Sequence, residues 1–263
     1  MDLSVYANAF YIYLWVMIGI AVIVFIALNF VDAGYGMLYT PKWGKAINNR
    51  LAWFLMEFPI FTAMIVLWAC SPHRFEIVPL VFLIIFEVHY LQRSFIFPWL
   101  IKGKNKMPLG IMFLGISFNL LNAMMQGYWI FFEAYNVKTD PYPISWLWSP
   151  QFIIGLVIFI WGFYVNLRSD YIIRHLRKSD EDTKHYLPKG GMFKYVTSAN
   201  YFGELMEWLG FAIFTWSVSG LVFFIWTFAN LVPRARTLYK KYQKEFPEEM
   251  KERKLKRVFP FIY

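Results

Sequence analysis

Residues 203–232 read GELMEWLGFAIFTWSVSGLVFFIWTFANLV, an apolar run of 30 residues whose path decides the fold. As one α-helix at about 1.5 Å per residue it would be about 45 Å long, whereas the hydrocarbon core of a bilayer is about 30 Å thick. The run is therefore too long for one helix that crosses the bilayer upright, and it is shorter than two full transmembrane helices would be. The whole chain is similarly apolar: of its 263 residues 59% are hydrophobic, 22% are aromatic and only 16% are charged.

Five further runs are long and apolar enough to cross a bilayer. They cover residues 9–31, 51–70, 78–101, 108–132 and 145–167. The single cysteine, Cys70, and the lack of low-complexity tracts exclude the disulfide-rich, collagen-like and disordered classes. We therefore expect an all-α, polytopic membrane protein that forms one domain over residues 1–263.

The positions of the basic residues predict the number and direction of the spans. The net charge is +9, and Lys and Arg number three in residues 32–50, three in 102–107, seven in 168–202 and ten after residue 232. The loops 71–77 and 133–144 hold one each. Because basic loops stay in the cytosol, the N-terminus is predicted outside and the C-terminus cytosolic. This requires a double crossing that ends at Val232, with a break near residues 216–220, and gives seven transmembrane helices.

Ionisable side chains inside the predicted spans are the first candidates for a functional site, since such residues usually face a cavity, a partner or a pathway. Glu57 lies in the second span, and Glu87, His89, Tyr90 and Arg93 lie within two turns of the third. One interpretation is that Arg93 pairs with Glu57 or Glu87 and holds the bundle together. For the cluster as a whole we favour a functional cavity.

Four further groups of residues recur at helical spacing, which places each group on one helix face. They are Asn119, Asn122 and Gln126; Asn166, Asp170, Arg174 and Arg177; Asn200, Glu204 and Glu207; and Arg234, Leu238 and Tyr242. The first group is explained equally well by hydrogen bonds between membrane helices. The second runs from a span to two guanidinium groups, which suits an elongated ligand with anionic groups because Arg binds phosphate bidentately.

Several kinds of chemistry are not expected. The four His residues lack HxxxH spacing and there is no CxxC, so we predict no metal site. No GxSxG elbow occurs, and the PKGGMF segment at 188–193 is a turn rather than a dinucleotide or Walker motif. The basic residues lie beside spans rather than on a folded domain, which argues against a nucleic-acid partner.

Several segments resemble steroid 5α-reductases. The C-terminal ones are residues 166–177 (NLRSDYIIRHLR), 188–210 (PKGGMFKYVTSANYFGELMEWLG) and 259–263 (FPFIY). Upstream, residues 53–59 (WFLMEFP) and 89–95 (HYLQRSF) are similar to that family's two steroid-site motifs, and Gln126-Gly127-Tyr128 is similar too. The resemblance covers nearly the whole chain.

This resemblance implies a membrane enzyme that uses NADPH to reduce the Δ4 double bond of a 3-oxo steroid to the 5α product. It implies Glu57 and Tyr90 as catalytic residues at the 3-keto oxygen. The implied steroid contacts are Trp53, Met56, Arg93 and Leu114. The implied cofactor contacts are Asn166, Asp170, Arg174, Arg177, Asn200, Glu204, Arg234 and Tyr242. The steroid-pocket helices would lie mainly in residues 1–132 and the cofactor-binding region in about 108–263.

Three positions depart from the family pattern: Met56, Leu114 and Leu238 stand where Gln, Arg and His are common. The alternatives are a membrane reductase of another conjugated alkene (an enoyl-CoA or a sterol ring), an isoprenylcysteine methyltransferase-like enzyme, and a non-enzymatic transporter. We expect the steroid to arrive from membrane lipid and NADPH from the cytosol, and we expect a monomer. The membrane would be the bacterial cytoplasmic membrane or, in a eukaryote, the endoplasmic reticulum.

Overall fold

The computed structural model describes residues 3–177, 179, 182 and 184–263, so Lys178 of the basic loop lies outside the described residues. The long helices of this part are α1 (Leu3–Ala27), α2 (Asn49–Cys70), α3 (Ile77–Leu100), α4 (Leu109–Val137), α5 (Pro150–Leu176), α6 (Ala199–Thr215) and α7 (Val218–Glu245). A short helix, α8 (Pro247–Arg253), follows α7. Short 3-10 turns occupy Gly36–Leu38, Pro41–Trp43, Ile144–Trp148 and Gly191–Lys194.

Six of the described helices, α1 to α5 and α7, are long and apolar enough to cross a membrane. The chain is thus a multi-pass membrane protein. Helix α6 has 17 residues, about 26 Å at the usual rise, and is shorter than the others. The fifth apolar run, predicted at 145–167, differs most from the observed helix. It begins at Pro150 after a 3-10 turn and continues to Leu176, so Asn166, Asp170 and Arg174 lie on α5 and Arg177 is the residue that caps its end.

The helix ends follow from side chains that satisfy free backbone N–H groups. Asn48 accepts hydrogen bonds from the first turn of α2, and Ser217 accepts one from Gly220 N at the start of α7. Helix α6 stops at Trp216, which has a left-handed backbone with φ of +48°. The predicted break near residues 216–220 is confirmed, because the left-handed residue and the capping serine end one helix and begin the next.

Two of the described helices contain a π-helical segment, Gln92–Ile96 in α3 and Trp129–Glu133 in α4. Such insertions are frequent at functional sites, because the extra residue turns the following side chains to a new direction. The first segment contains Arg93, one of the predicted site residues. The spacing of polar residues alone did not indicate either insertion.

Helices α5 and α6 are antiparallel and approach each other closely at paired glycines. A Cβ at Gly162 would lie 2.7 Å from Gly203 O, and a Cβ at Gly155 would lie 2.7 Å from Gly210 O. Contacts this short exclude a side chain, so glycine permits the close approach. One turn beyond Gly162, Asn166 donates a hydrogen bond to Asn200 O at 3.0 Å. The glycine pairs therefore hold the polar faces of the two helices together.

The loops before α2 and before α4 are joined by a two-stranded antiparallel sheet, which the all-α prediction did not include. Strand β1 (Ala46–Asn48) pairs with β2 (Lys106–Pro108), with Ile47 opposite Met107. At the other end of the chain, Arg253 donates hydrogen bonds to Pro188 O and Phe193 O. These contacts fix the loops at the end of the bundle where α2 begins and α5 ends.

Candidate active site

A cavity of about 580 Å³ opens at the end of the bundle where α2 begins and α3 and α5 end. Its cationic side chains are Lys102, Lys104, Arg174, Arg177 and Lys184, and its aromatic ones are Tyr35, Trp53, Phe97, Tyr186 and Tyr242. Among the described residues, five of the eight predicted cofactor contacts line it: Asp170, Arg174, Arg177, Asn200 and Tyr242. The cavity thus combines a basic mouth with aromatic walls.

The three other predicted cofactor residues, Asn166, Glu204 and Arg234, are not among the residues that line the cavity. Asn166 is buried and bonds to the backbone of Asn200. Glu204 lies on α6 within electrostatic range of Arg93 and His89. Arg234 donates to Tyr201 Oη at 2.6 Å, Ala33 O at 2.8 Å and Tyr35 O at 3.0 Å.

Arg234 fixes Tyr35 in the cavity wall. Its guanidinium carbon stacks 3.6 Å from the centre of the Tyr35 ring, in addition to the hydrogen bond to the Tyr35 carbonyl. A cation over an aromatic face is attracted by the ring quadrupole. Arg234 therefore acts on the cavity through Tyr35 and the loop that carries it.

Arg93 joins the inner wall of the cavity to α5. Its guanidinium group lies 3.3 Å from Asp170 Oδ2, and its carbon lies 4.8 Å from the Trp53 ring centre and 4.3 Å from that of Phe97. One interpretation of the sequence pairs Arg93 with Glu57 or Glu87, whereas the structure pairs it with Asp170. Sequence could not indicate this pair, because the two residues are 77 positions apart.

Glu57 and Tyr90 are both buried in the bundle, at 8% and 3% exposure, and lie within electrostatic range of each other. Glu57 is one turn from Trp53 on α2, and Tyr90 is one turn from Arg93 on α3. Trp53 lines the inner wall of the cavity, and Arg93 packs against Trp53 and Phe97 of that wall. The two proposed catalytic side chains therefore lie just beyond that wall.

A buried pair, His89 and Glu207, lies next to Tyr90 and ties α3 to α6. His89 Nδ1 is 2.6 Å from Glu207 Oε1. The His89 ring also contacts Trp208 edge-on, with ring centres 4.6 Å apart. Glu207, part of the polar face predicted on α6, is therefore a packing and hydrogen-bonding group of the bundle interior.

The predicted steroid contacts occupy different environments. Trp53 lines the cavity. Met56 is buried and packs against Gly115, so closely that a Cβ at position 115 would collide with the Met56 side chain. Leu114, in contrast, is 57% exposed on the outer surface of α4. The structure thus brings Trp53, Met56 and Arg93 together and leaves Leu114 facing outward.

Several lining residues were missed by sequence reasoning, above all Tyr35, Lys102 and Lys104. They lie in loops, where no periodic pattern indicates the direction of a side chain, and in the sequence the two lysines indicate only the topology of the loop. Gly103, with φ of +93°, lets the Arg177 guanidinium pack against this loop and donate to Lys102 O at 3.1 Å. Tyr186 of the lining donates a hydrogen bond to Asp182 Oδ2 at 2.9 Å, and this bond raises the pKa of Tyr186.

Known proteins of one family match this chain. Residues 105–263 match the family model described as 3-oxo-5-alpha-steroid 4-dehydrogenase. Steroid 5-alpha-reductase DET2 of Arabidopsis thaliana is 36% identical to this chain over 244 residues, which are 90% of each chain. The protein of the same name in Solanum lycopersicum is 40% identical over 245 residues, which are 91% of each chain. 3-oxo-5-alpha-steroid 4-dehydrogenase 1 of Mus musculus is 37% identical over 248 residues, 92% of each chain. The chain therefore belongs to the steroid 5α-reductase family.

Proposed function

We propose that this chain is an NADPH-dependent reductase of the Δ4 double bond in 3-oxo-Δ4 steroids, such as progesterone or testosterone. The observation that carries the proposal is the buried pair Glu57 and Tyr90 one helical turn beyond a cavity with a basic mouth. Family membership supports the reaction type. It favours a reductase over the methyltransferase-like and transporter alternatives.

The cavity fits a phosphorylated dinucleotide by the chemistry of its lining. Arg174, Arg177, Lys102 and Lys104 offer cationic donors for phosphate groups, and Asp170 lies deeper beside Arg93. When bound, NADPH supplies the hydride for C5 of the steroid. The proposed cofactor site therefore extends beyond residues 108–263, because Tyr35 and the loop 102–105 line the same cavity.

Glu57 and Tyr90 would act on the 3-keto oxygen. Negative charge develops on this oxygen as C5 gains hydride and an enolate forms, before C4 is protonated. A hydroxyl and a protonated carboxyl aimed at the oxygen in a dry site stabilise that charge more than they stabilise the neutral ketone, which lowers the barrier. Trp53, Met56 and Arg93 would surround the steroid near this oxygen, and the outward position of Leu114 argues against a direct steroid contact there.

We further propose seven spans, α1 to α7, with the N-terminus outside and the C-terminus cytosolic. Charge placement supports this direction, since the basic cavity mouth then faces cytosolic NADPH. The apolar helices between residues 1 and 132 would admit a steroid from lipid, and the chain would work as a monomer. Seven crossings need α6 to span the bilayer, and its close pairing with α5 supports that.

The direct test follows NADPH absorbance with purified protein and one candidate substrate at a time. We expect oxidation with progesterone or testosterone, and a 5α-reduced product by mass spectrometry against standards. Oxidation only with an enoyl-CoA or a sterol-ring alkene would instead identify the alternative reductase. Methyl transfer from S-adenosylmethionine to an isoprenylated cysteine, without NADPH oxidation, would reject the proposal.

A further inference from the structure

We infer that the polar face of α4 sets the proton positions of the two catalytic groups, with Asn119 as the positioning residue of Glu57 and Asn122 as that of Tyr90. This inference rests on the proposed function. It concerns residues that the reaction described above does not use, and it explains why three amide side chains recur on one face of a membrane helix.

Asn119 donates a hydrogen bond to Glu57, and the orientation of its amide group is fixed by a second hydrogen bond. Its Nδ2 atom lies 2.7 Å from Met56 O, and a backbone carbonyl can only accept, so the atom at this position must be the NH₂ group. The same nitrogen lies 3.2 Å from Glu57 Oε2. Oε2 is therefore a hydrogen-bond acceptor.

The acceptor role of Oε2 determines where a neutral Glu57 carries its proton. A protonated carboxyl has one O–H donor, and its other oxygen is the better acceptor. With Oε2 engaged by Asn119, the proton belongs on Oε1, which is left to donate to a ketone oxygen. Asn119 thus converts a carboxyl with two equivalent oxygens into a donor with one direction.

A second backbone carbonyl orients the other amides in the same way. Gln126 Nε2 lies 3.0 Å from Ser219 O, which can only accept, so this branch of Gln126 is the NH₂ group. That nitrogen lies 3.1 Å from Asn122 Oδ1, so the remaining branch of Asn122 is its NH₂ group. The Ser219 carbonyl therefore fixes the orientation of the Gln126 amide, and Gln126 in turn fixes that of the Asn122 amide.

The NH₂ group of Asn122 is then available for Tyr90. The Asn122 side chain lies near the Tyr90 hydroxyl, and its buried Nδ2 atom has no hydrogen-bond partner among the described residues. A hydrogen bond from this NH₂ group to the phenolic oxygen would make that oxygen an acceptor and leave the Tyr90 proton for the ketone. All three amides are buried, at 6% exposure for Asn119 and 0% for Asn122 and Gln126.

Double-variant kinetics separate positioning from packing. Asn119→Leu should lower kcat about tenfold, the value of one lost hydrogen bond, with the KM for NADPH unchanged. In a Glu57→Met background the same change should have almost no further effect, since the group it positions is gone. Asn122→Leu should behave likewise with Tyr90→Phe. Thr227→Val is the control, because within the described part of the chain the buried Thr227 hydroxyl bonds only to Phe223 O of its own helix.

A spectroscopic readout tests the same inference without turnover. With NADP⁺ in place of NADPH, the infrared C=O stretch of a steroid labelled with ¹³C at C3 reports hydrogen bonds to its oxygen. We expect a smaller downshift in Asn119→Leu and Asn122→Leu than in wild type, and no change in Thr227→Val. An unchanged stretch in both Asn variants would overturn the inference.

The possible failures point to different causes. If Glu57→Met and Tyr90→Phe lose turnover but Asn119→Leu lowers kcat by the same factor with and without Glu57, the Asn residues are structural and this inference alone is wrong. If Glu57→Met and Tyr90→Phe both keep wild-type turnover, the catalytic assignment is wrong and the inference falls with it.

Discussion

Tyr90 and Glu57 are the residues whose hydroxyl and carboxyl groups we expect to contribute most to turnover. Tyr90→Phe removes only the phenolic oxygen, and Glu57→Gln replaces the carboxyl by a weaker amide donor. Removing one preorganised donor to a developing oxyanion typically lowers kcat by about 10²–10³. We expect losses of this order, with NADPH affinity nearly unchanged, measured by steady-state kinetics and by fluorescence titration of bound NADPH. Wild-type turnover in both variants would reject this site.

Arg177 tests the cofactor half of the site. Arg177→Ala removes a guanidinium group that lines the cavity and donates to Lys102 O. A lost hydrogen bond to a charged group is worth about 1.5–3 kcal/mol, so the KM for NADPH should rise about 10- to 100-fold. Arg168→Ala is the matched control, because Arg168 is exposed on the same helix and contacts Tyr171 rather than the cavity. Equal KM values for NADPH in the two variants would remove Arg177 from the cofactor site.

At the scale of the elements, the pairing of α5 with α6 should be the most sensitive contact in the bundle. Gly162→Ala would place a methyl group 2.7 Å from Gly203 O, and overpacking of this kind destabilises by about 1–3 kcal/mol. We expect a thermal unfolding midpoint lower by about 2–10 °C in detergent. NADPH affinity should fall as well, because the polar faces of α5 and α6 would separate.

Gly19→Ala is the control for the glycine prediction. A Cβ at Gly19 on α1 would meet no atom within 4 Å. Alanine favours helix over glycine, so this variant should keep or raise the midpoint. Equal midpoints for Gly162→Ala and Gly19→Ala would show that the α5–α6 contact tolerates a wider spacing.

The elements were predictable from sequence where composition or charge decides them. The apolar runs indicated the long helices, and the placement of the basic residues indicated the break between α6 and α7. The π-helical segment that contains Arg93 was not predictable, since nothing in its composition differs from an α-helix. The same holds for the pairing of β1 with β2, which depends on two loops meeting in space.

For the molecule as a whole, the spacing of polar residues predicted which side chains share a helix face but not which faces meet. Asp170 and Arg174 share one face of α5, Arg177 follows at its C-cap, and all three line the cavity. Their partners Arg93, Tyr35 and Lys102 come from other elements, and tertiary packing alone brings them together. Leu114 shows the opposite case. The family pattern implies that it contacts the steroid, but its side chain faces outward from the bundle.

The number of times that the chain crosses the membrane is a property of the whole molecule that can be tested directly. Helix α6 is short, yet it lies along α5 from Asn166 back to the end at which α5 begins. Trp146, just before α5, donates a hydrogen bond to Phe214 O near the end of α6, at 2.9 Å. The exposed Trp216 follows α6, and exposed Trp residues are common at membrane interfaces. Helix α6 should therefore reach the same interface at which α5 begins.

Cysteine labelling distinguishes seven crossings from six. Cys70, the single cysteine of the chain, is exposed at the end of α2, and Glu252 is exposed on α8. Five crossings separate these positions if α6 spans the bilayer, and four if it does not. In sealed vesicles with the outer face exposed, an impermeant maleimide should label Cys70 directly. In a Cys70→Ser background, Glu252→Cys should react only after permeabilisation, whereas direct labelling at both positions would mean six crossings and a basic C-terminal tail outside.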